Sequence, residues 1–350
     1  EYLNRFDYTP DDCLDFHSAI EKVVMPFANK LIKKRKDELG LKTLKPWDLS
    51  VDTLNRTPLK PFKNADELEM KCHNIFNSVD SELGNYFKIM RDEKLLDLAN
   101  RKGKAPGGYC TEYHHRRVPF IFMNAVGTHS DVQTMLHEGG HAFHVFESNQ
   151  LPYSAQRDVG MEFAEVASMS MELLSAPYLT KEFGGFYEEE EAKRARIEHL
   201  EKTIMFLPYM AVVDAFQHWA YTNPEMAIEP KNCDERWTEL WNRFQVYDDL
   251  DSSEFKDVIA TGWHNKLHLF HVPFYYVEYG MAQLGAIQVW GNALENQKNA
   301  VKQYRHALSL GGNATLPELF EAAGAKFEFG ENMLKYAVNL VETNLKDLNA

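Results

Sequence analysis

Long apolar runs and closely spaced cysteines are both absent from the 350-residue sequence. No apolar run approaches the roughly 20 residues that a helix needs to cross a bilayer. The four cysteines, Cys13, Cys72, Cys110 and Cys233, form no CxxC pair, which excludes a zinc ribbon or a thioredoxin-like site. Cysteines scattered in this way predict reduced, mostly buried thiols.

Positive charge is also scarce in this chain. The formal net charge is -14, because 52 Asp and Glu residues outnumber 38 Lys and Arg residues. Nucleic acids and anionic membrane surfaces attract an excess of Lys and Arg, so neither is expected as a partner. Since no signal peptide is visible and the thiols are expected to be reduced, we expect a cytoplasmic location.

Helical patterning dominates the sequence. Apolar residues recur at helical spacing over residues 11 to 38, and Gly40 follows as a stop signal. Residues 65 to 99 predict two helices with a break near residues 78 to 81. Val118 to Asn124 predicts a short strand, and residues 47 to 51 are a candidate for another. We therefore expect a mainly α fold with a small β-sheet.

The motif HEGGH at residues 137 to 141 is the strongest chemical signal. His137 and His141 lie one helical turn apart on the same face, so that their imidazoles can bind one tetrahedral zinc ion. Glu138 projects beside them and is placed to take a proton from water rather than to bind the ion. Two core histidines with a surface glutamate are the alternative that this short motif leaves open.

The helix that carries this motif is expected to begin at Asp131, because Ser130 and Gln133 form a plausible capping box. Gly139 and Gly140 are poor helix formers and should together cost about 2 kcal/mol relative to alanines. A helix that contains both is expected to approach another backbone closely, either in a metal cleft or at a tight helix contact.

A third protein ligand is needed, because catalytic zinc sites combine three ligands with one open position. Metzincins have a third histidine ten residues after the first, where this chain has Glu147, so that class is excluded. The helix predicted over residues 161 to 174 instead carries Glu162, Glu165 and Glu172. Small neighbours favour Glu165 as the ligand, and Glu172 on the same face is the expected partner of a ligand histidine. Solvent-exposed glutamates are the alternative.

These segments together resemble the M3 family of metallopeptidases, and within it the oligoendopeptidase F branch. HEGGHAFH is followed by EVASMSME, which begins at Glu165. Further matches are spread over essentially the whole chain, namely RFDYTPDDCLDFH, RKGKAPGGYC, PFIFMNAVGT and HVPFYYVEYGMAQLGA. Thimet oligopeptidase is a more distant relative.

The resemblance implies a zincin-like, elongated, mainly helical peptidase fold with a deep channel. It implies Glu165 as the third ligand, one zinc ion per chain, and short unstructured peptides as substrates. Residues 1 to 350 are expected to form one M3-type catalytic domain. The chain starts at Glu1 and lacks the family's additional N-terminal region, so we expect a larger protein; its oligomeric state is left open.

The resemblance also implies residues that contact the substrate. In the M3 family, a histidine and tyrosines near the position of residues 268 to 279 bind substrate and stabilise the transition state. These roles carry over to His268 and Tyr279, and less directly to Tyr276, whereas His264 and His271 stay open. Core packing of these rings is the alternative.

The predicted strand Val118 to Asn124 is a candidate for binding the substrate backbone. An edge strand beside a metal can pair with an extended peptide through backbone hydrogen bonds. The family resemblance favours this role, so these residues are expected to hold substrate: Phe120, Ile121, Phe122, Met123 and Asn124. An ordinary core strand is the alternative. The basic residues 114 to 117 just before it are expected to form a solvated turn.

Three functions fit these patterns. The favoured one is an endopeptidase for short peptides, in which Glu138 accepts a proton from the attacking water and passes it to the leaving amine. An HExxH exopeptidase of the carboxypeptidase or dipeptidase type is the second. The third is a zinc-containing fragment that binds peptides with little turnover.

Overall fold

The computed structural model of the protein describes residues 6–245 and 247–349. These residues are mainly helical and fall into two compact units. The sheet unit comprises Pro58–Glu198 and Ala282–Phe327, and the terminal unit comprises residues 6–57, His199–Met281 and residues 328–349. Within the described part of the chain, no helix combines the length and apolar character needed to cross a bilayer.

The terminal unit begins with one uninterrupted helical stretch. It runs from Pro10 to Leu39 and includes a π turn at Ile20–Val24. Gly40 ends it in the left-handed conformation with a φ of 66°, so the predicted helix and its stop are confirmed. The other helical segments of this unit are Pro46–Ser50, Pro224–Ala227, Pro230–Phe244, Ser253–Phe255, Lys256–Ala260, Gly262–Asn265, His268–His271 and Glu331–Asn349.

The sheet unit contains helices around one small sheet. Its helical segments are Ala65–Val79, Ser81–Asp92, His129–Ser148, Ser154–Arg157, Met161–Ser175, Ala176–Tyr178, Lys181–Phe183, Gly311–Asn313 and Leu316–Ala322. The predicted break near residues 78 to 81 is confirmed, since Asp80 separates two helices and caps the second. Two helical segments of 34 residues, Glu189–Thr222 and Tyr276–Ser309, contribute residues to both units, and the second is interrupted at Asn296, where the backbone is not helical.

Three strands form the sheet: β1 (Leu96–Ala99), β2 (Tyr109–Tyr113) and β3 (Val118–Ala125). Their order is β1-β3-β2, with β3 parallel to β1 and antiparallel to β2. The predicted strand at Val118 to Asn124 is confirmed. Its predicted place at the sheet edge is wrong, because neighbouring strands already pair with both of its sides.

The basic residues 114 to 117 form the exposed turn that joins β2 to β3, as the sequence predicts. Arg116 Nη2 lies 2.6 Å from Glu93 Oε2. Arg117 donates a hydrogen bond of 2.9 Å to the carbonyl oxygen of Asn149. The turn is therefore solvated and anchored to its neighbours.

Two segments differ from the sequence expectation. Residues 47 to 51 form no strand; Pro46–Ser50 is a 3₁₀ turn, in which the Asp48 carboxylate accepts a 2.8 Å hydrogen bond from the Lys45 backbone N–H. The helix predicted to reach residue 99 ends at Asp92. Leu96–Ala99 instead pairs with β3, and helical periodicity carries no information about such a distant partner.

The motif helix, His129–Ser148, carries HEGGH and begins two residues before the predicted start. Its capping box uses Thr128 and Asp131 rather than Ser130 and Gln133. The predicted start of the helix is two residues too late because both pairs of residues have side chains that can form a capping box. The existence of the helix is confirmed and its first residue is corrected.

The Asp131 carboxylate fixes the connection between β3 and the motif helix. Its Oδ2 accepts hydrogen bonds from the backbone N–H groups of Val126, Gly127 and Thr128, at 2.9, 2.9 and 2.8 Å. Asp131 is buried, so these three bonds are shielded from water. The strand therefore enters the helix along one defined path.

Close packing joins the motif helix to the glutamate helix, Met161–Ser175. A Cβ atom added at Gly140 would lie 2.5 Å from the Ala167 carbonyl oxygen and 2.5 Å from Ser168 Cα. A Cβ at Gly139 would lie 2.5 Å from the Phe76 ring. Gly140 is thus required by backbone packing and Gly139 makes room for a buried ring, so the predicted close backbone approach is confirmed at Gly140.

We expect Gly140→Ala to lower the free energy of unfolding by about 1–3 kcal/mol, because backbone atoms cannot yield to the added methyl group. This loss should exceed the gain of about 1 kcal/mol in helix propensity. Thermal and denaturant unfolding measure the effect. Gly330→Ala is the control, since its Cβ meets nothing within 4 Å. A Gly140→Ala protein as stable as wild type would contradict this packing.

Candidate active site

The motif helix places His137 and His141 on one face, as their spacing predicts. Their ring centroids are 4.9 Å apart and the ring planes meet at 84°. The side chains are 23% and 18% exposed, respectively. Both imidazoles therefore line a surface that water can reach, which a pair of core histidines would not do.

The glutamate helix brings Glu165 to both rings. Glu165 Oε2 lies 3.3 Å from His137 Nε2 and 3.7 Å from His141 Nε2. One ligand atom from each of the three residues falls within 4.8 Å of the others. Two nitrogens and one carboxylate oxygen at this separation form a donor set suited to a divalent metal. Solvent exposure, the alternative for this glutamate, does not hold, because Glu165 is buried.

Glu172 lies on the far side of the His137 ring from Glu165. Its Oε1 is 2.7 Å from His137 Nδ1. This contact fixes the ring orientation and leaves Nε2 directed at Glu165. The structure thus places Glu172 beside a candidate ligand histidine, where the sequence predicts it. Glu162, three residues before Glu165, is also buried, but it is not one of the three residues whose ligand atoms converge.

Burial and charge give the two histidines opposite protonation behaviour. Burial lowers the pKa of His141 to about 4, so its imidazole is neutral and has a lone pair available. Burial also lowers the pKa of His137, but hydrogen bonds with Glu165 and Glu172 outweigh it and hold the pKa well above its usual value. The carboxylates around His137 therefore favour a positive charge at this place.

Glu138 stands beside the three converging side chains but outside the group that they form. Its carboxyl is buried, and burial raises its pKa to about 7. The His137 charge and a hydrogen bond from the Cys110 backbone act against that increase. A carboxyl group with a pKa near neutrality can both accept and return a proton.

Sequence reasoning missed two contributors to this site. Ser168 Oγ lies 3.0 Å from Glu165 Oε2 and so restrains the carboxylate; the sequence suggested only that Ser168 is small. Strand β2 was missed, and it places Cys110 next to Glu138. The two tyrosines and the threonine of YCTEY, residue types that are enriched in strands, were the available signal, but the preceding glycines favoured a loop.

Strand β3 does not offer a free edge to a peptide, which corrects the predicted role of five residues. Its middle residues pair with β1 and β2, and Ile121 and Met123 are buried in the core. The core-strand alternative is therefore realised for Ile121 and Met123, whereas Phe120, Phe122 and Asn124 are half-buried. Asn124 has a structural contact instead, since its Nδ2 donates to the carbonyl oxygens of Ala105 and Gly107 at 2.8 and 2.9 Å.

The aromatic residues predicted near the end of the chain form one cluster in the terminal unit. The ring centroid of His268 is 5.1 Å from that of Tyr276 and 5.8 Å from that of Tyr279. Tyr276 is buried, and its hydroxyl lies 3.3 Å from Lys266 Nζ. Tyr279 is half-buried. Their contact with substrate stays a prediction.

Comparison with known proteins identifies a single peptidase family along most of the chain. The sequence model of peptidase family M3 matches residues 2–338. The oligoendopeptidase F homolog of Borreliella burgdorferi is 24% identical over 304 residues, 83% of this chain and 48% of that protein. Oligopeptidase PepF of Bacillus subtilis is 24% identical over 324 residues, 87% of this chain and 46% of that protein.

A solved structure supports the same relationship at the level of the fold. PZ peptidase A with inhibitor 2 matches with a TM-score of 0.89 and 30% identity, over 98% of this chain and 59% of that one. The chain spans about half the length of the curated relatives it matches. With the motif and the fold in agreement, the chain belongs to peptidase family M3, in its oligoendopeptidase F branch.

Proposed function

We propose that this chain is the catalytic part of a zinc-dependent endopeptidase that hydrolyses short, unstructured peptides. The observation that carries the proposal is the convergence of His137, His141 and Glu165 within 4.8 Å. Relatives named as oligoendopeptidases and oligopeptidases support the substrate class. Residues 1 to 350 would act as one M3-type catalytic domain, located in the cytoplasm.

The donor set fits one catalytic zinc ion. His137 and His141 would supply nitrogen, and Glu165 would supply a carboxylate oxygen, which is the ligand set of several zinc peptidases. Glu172 supports the assignment, because ligand histidines usually give their other ring nitrogen to a carboxylate. Zinc bound there would act as a Lewis acid on water and on the substrate carbonyl.

Glu138 is the proposed general base. In its ionised form it accepts a proton from the water that attacks the peptide carbonyl. It then passes this proton to the nitrogen of the leaving amine, so that the carboxylate is restored after each turnover. A pKa raised to about 7 by burial suits both steps at neutral pH.

The outer edge of β2, rather than β3, is the proposed peptide-binding edge. β2 ends the sheet and packs against the motif helix. The hydrogen bond between the Cys110 backbone and Glu138 puts this strand next to the proposed base. Backbone pairing along β2 would hold extended peptides with little dependence on their side chains.

His268 and Tyr279 are the proposed donors to the developing oxyanion, and Tyr276 is proposed to support them. The half-buried Tyr279 keeps access to solvent, whereas Tyr276 is packed against His268 and Lys266. Hydrogen-bond donors that are held in place before reaction stabilise charge without reorganisation.

Removal of the third ligand tests the metal site. We expect Glu165→Ala to lose one zinc equivalent per chain relative to wild type, because two imidazoles alone bind zinc weakly. Elemental analysis after dialysis measures the loss. Glu162→Ala is a matched control on the same helix, also buried, and should keep its zinc. Zinc loss in Glu162→Ala but not in Glu165→Ala would identify Glu162 as the third ligand instead.

Substitution of the proposed base tests the chemistry. We expect Glu138→Gln to keep its zinc and to lower kcat by about 100- to 10,000-fold, because the amide cannot accept the proton. The substrate is an internally quenched peptide blocked at both ends. An exopeptidase would leave this peptide intact, and equal activity in wild type and variant would rule out Glu138 as the base. A wild-type chain that binds zinc but cleaves nothing would favour the peptide-binding alternative.

The two tyrosines of the cluster should behave differently. We expect Tyr279→Phe to lower kcat by about 100- to 1,000-fold with little change in KM, which is the effect of removing an oxyanion donor. Tyr276→Phe should mainly lower thermal stability, because its hydroxyl is buried beside Lys266. Steady-state kinetics and thermal unfolding separate the two effects. An unchanged kcat in Tyr279→Phe would refute its role.

A further inference from the structure

A second group of side chains with suitable metal-ligand atoms lies in the terminal unit, and the proposed peptidase chemistry does not use it. Helix Pro10–Ala19 carries Cys13 and His17, four residues apart. Helix Glu189–Thr222 carries Asp214 and His218, also four residues apart. Side chains four residues apart on a helix share one face, so each helix presents a pair.

The two pairs meet in the interior of the unit. Ligand atoms of Cys13, Asp214 and His218 all lie within 4.8 Å of one another. His17 Nε2 is 2.8 Å from Asp214 Oδ2, and His218 Nε2 is 3.4 Å from the same oxygen. Cys13 and His17 are each 1% exposed and Asp214 is fully buried, so this is an interior cluster and not a surface patch.

The Asp214 carboxylate is only partly satisfied by the protein. Its Oδ2 atom faces the rings of His17 and His218, at 2.8 Å and 3.4 Å from their Nε2 atoms. Both contacts reach Oδ2. Among residues 6–245 and 247–349, the buried Oδ1 atom has no hydrogen-bond partner. An unpaired charged oxygen in the interior costs stability unless a cation or another donor reaches it.

We propose that Cys13, Asp214 and His218 form a second, structural site for a zinc-class divalent ion. Sulfur, nitrogen and oxygen ligands together suit zinc better than calcium or magnesium, which prefer oxygen alone. His17 is a positioning residue, because it holds the carboxylate through Oδ2 and leaves Oδ1 for the ion. Binding replaces the thiol proton of Cys13 with the metal, and that proton is released to solvent.

Burial distinguishes this site from the one proposed for catalysis. His137 and His141 are partly open to solvent, whereas the side chains of Cys13 and Asp214 are closed to it. A peptide could not reach an ion bound there. The ion would instead link the first helix of the chain to the long helix Glu189–Thr222 and stabilise the terminal unit.

Cobalt substitution separates the two sites in the intact chain. A thiolate bound to Co²⁺ gives a near-ultraviolet charge-transfer band, and the three candidate ligands of the active site, His137, His141 and Glu165, include no thiol. We expect the wild-type chain to bind two Co²⁺ ions and to show this band. Cys13→Ser should lose the band and one ion, while it keeps the visible cobalt absorption of the other site and its native circular dichroism.

Matched variants complete the test. Cys72→Ser removes another fully buried thiol and should keep the band. His218→Gln removes the nitrogen ligand at a partly exposed position and leaves the thiol in place, so it should weaken Co²⁺ binding. This variant takes the place of Cys13→Ser in the test if Cys13→Ser does not fold. A wild-type chain with one bound ion and no charge-transfer band would overturn the proposal, as would a band that persists in Cys13→Ser.

Discussion

Contact between two helix backbones at Gly140 is the constraint on which the candidate active site depends. The absence of a side chain at Gly140 lets the motif helix approach the Ala167 carbonyl group directly. The buried Tyr304 hydroxyl donates a 2.8 Å hydrogen bond to the same carbonyl oxygen and so fixes this point from another side. At a wider helix separation, Glu165 and Glu172 could not both reach the ring of His137.

Local patterns in the sequence were sufficient for the parts of the site that lie on single helices. The spacing of His137 and His141 predicted their common face, because an α-helix repeats every 3.6 residues. The seven-residue spacing of Glu165 and Glu172 predicted a shared face in the same way. The two adjacent glycines predict a close contact but do not specify its partner. Each of these inferences needed only the geometry of one helix.

Features that depend on distant partners could not be predicted in this way. The position of β3 inside the sheet is set by β1 and β2, and no residue of β3 encodes that order. Leu96–Ala99 was assigned to a helix because its strand pairing is tertiary. The start of the motif helix was displaced because Thr128 and Ser130 have equivalent capping chemistry. The hydrogen bond from Ser168 to Glu165 required side-chain geometry that spacing alone does not give.

The two glutamates that flank His137 have a thermodynamic consequence for ion capture. With Glu172 on one nitrogen and Glu165 facing the other, rotation of the imidazole about its side-chain bonds is already restricted in the folded chain. The rotational entropy of this ring is therefore lost during folding and not when an ion arrives. If a cation binds as proposed, it would replace the proton on a nitrogen that already points toward it, without further reorientation of the ring.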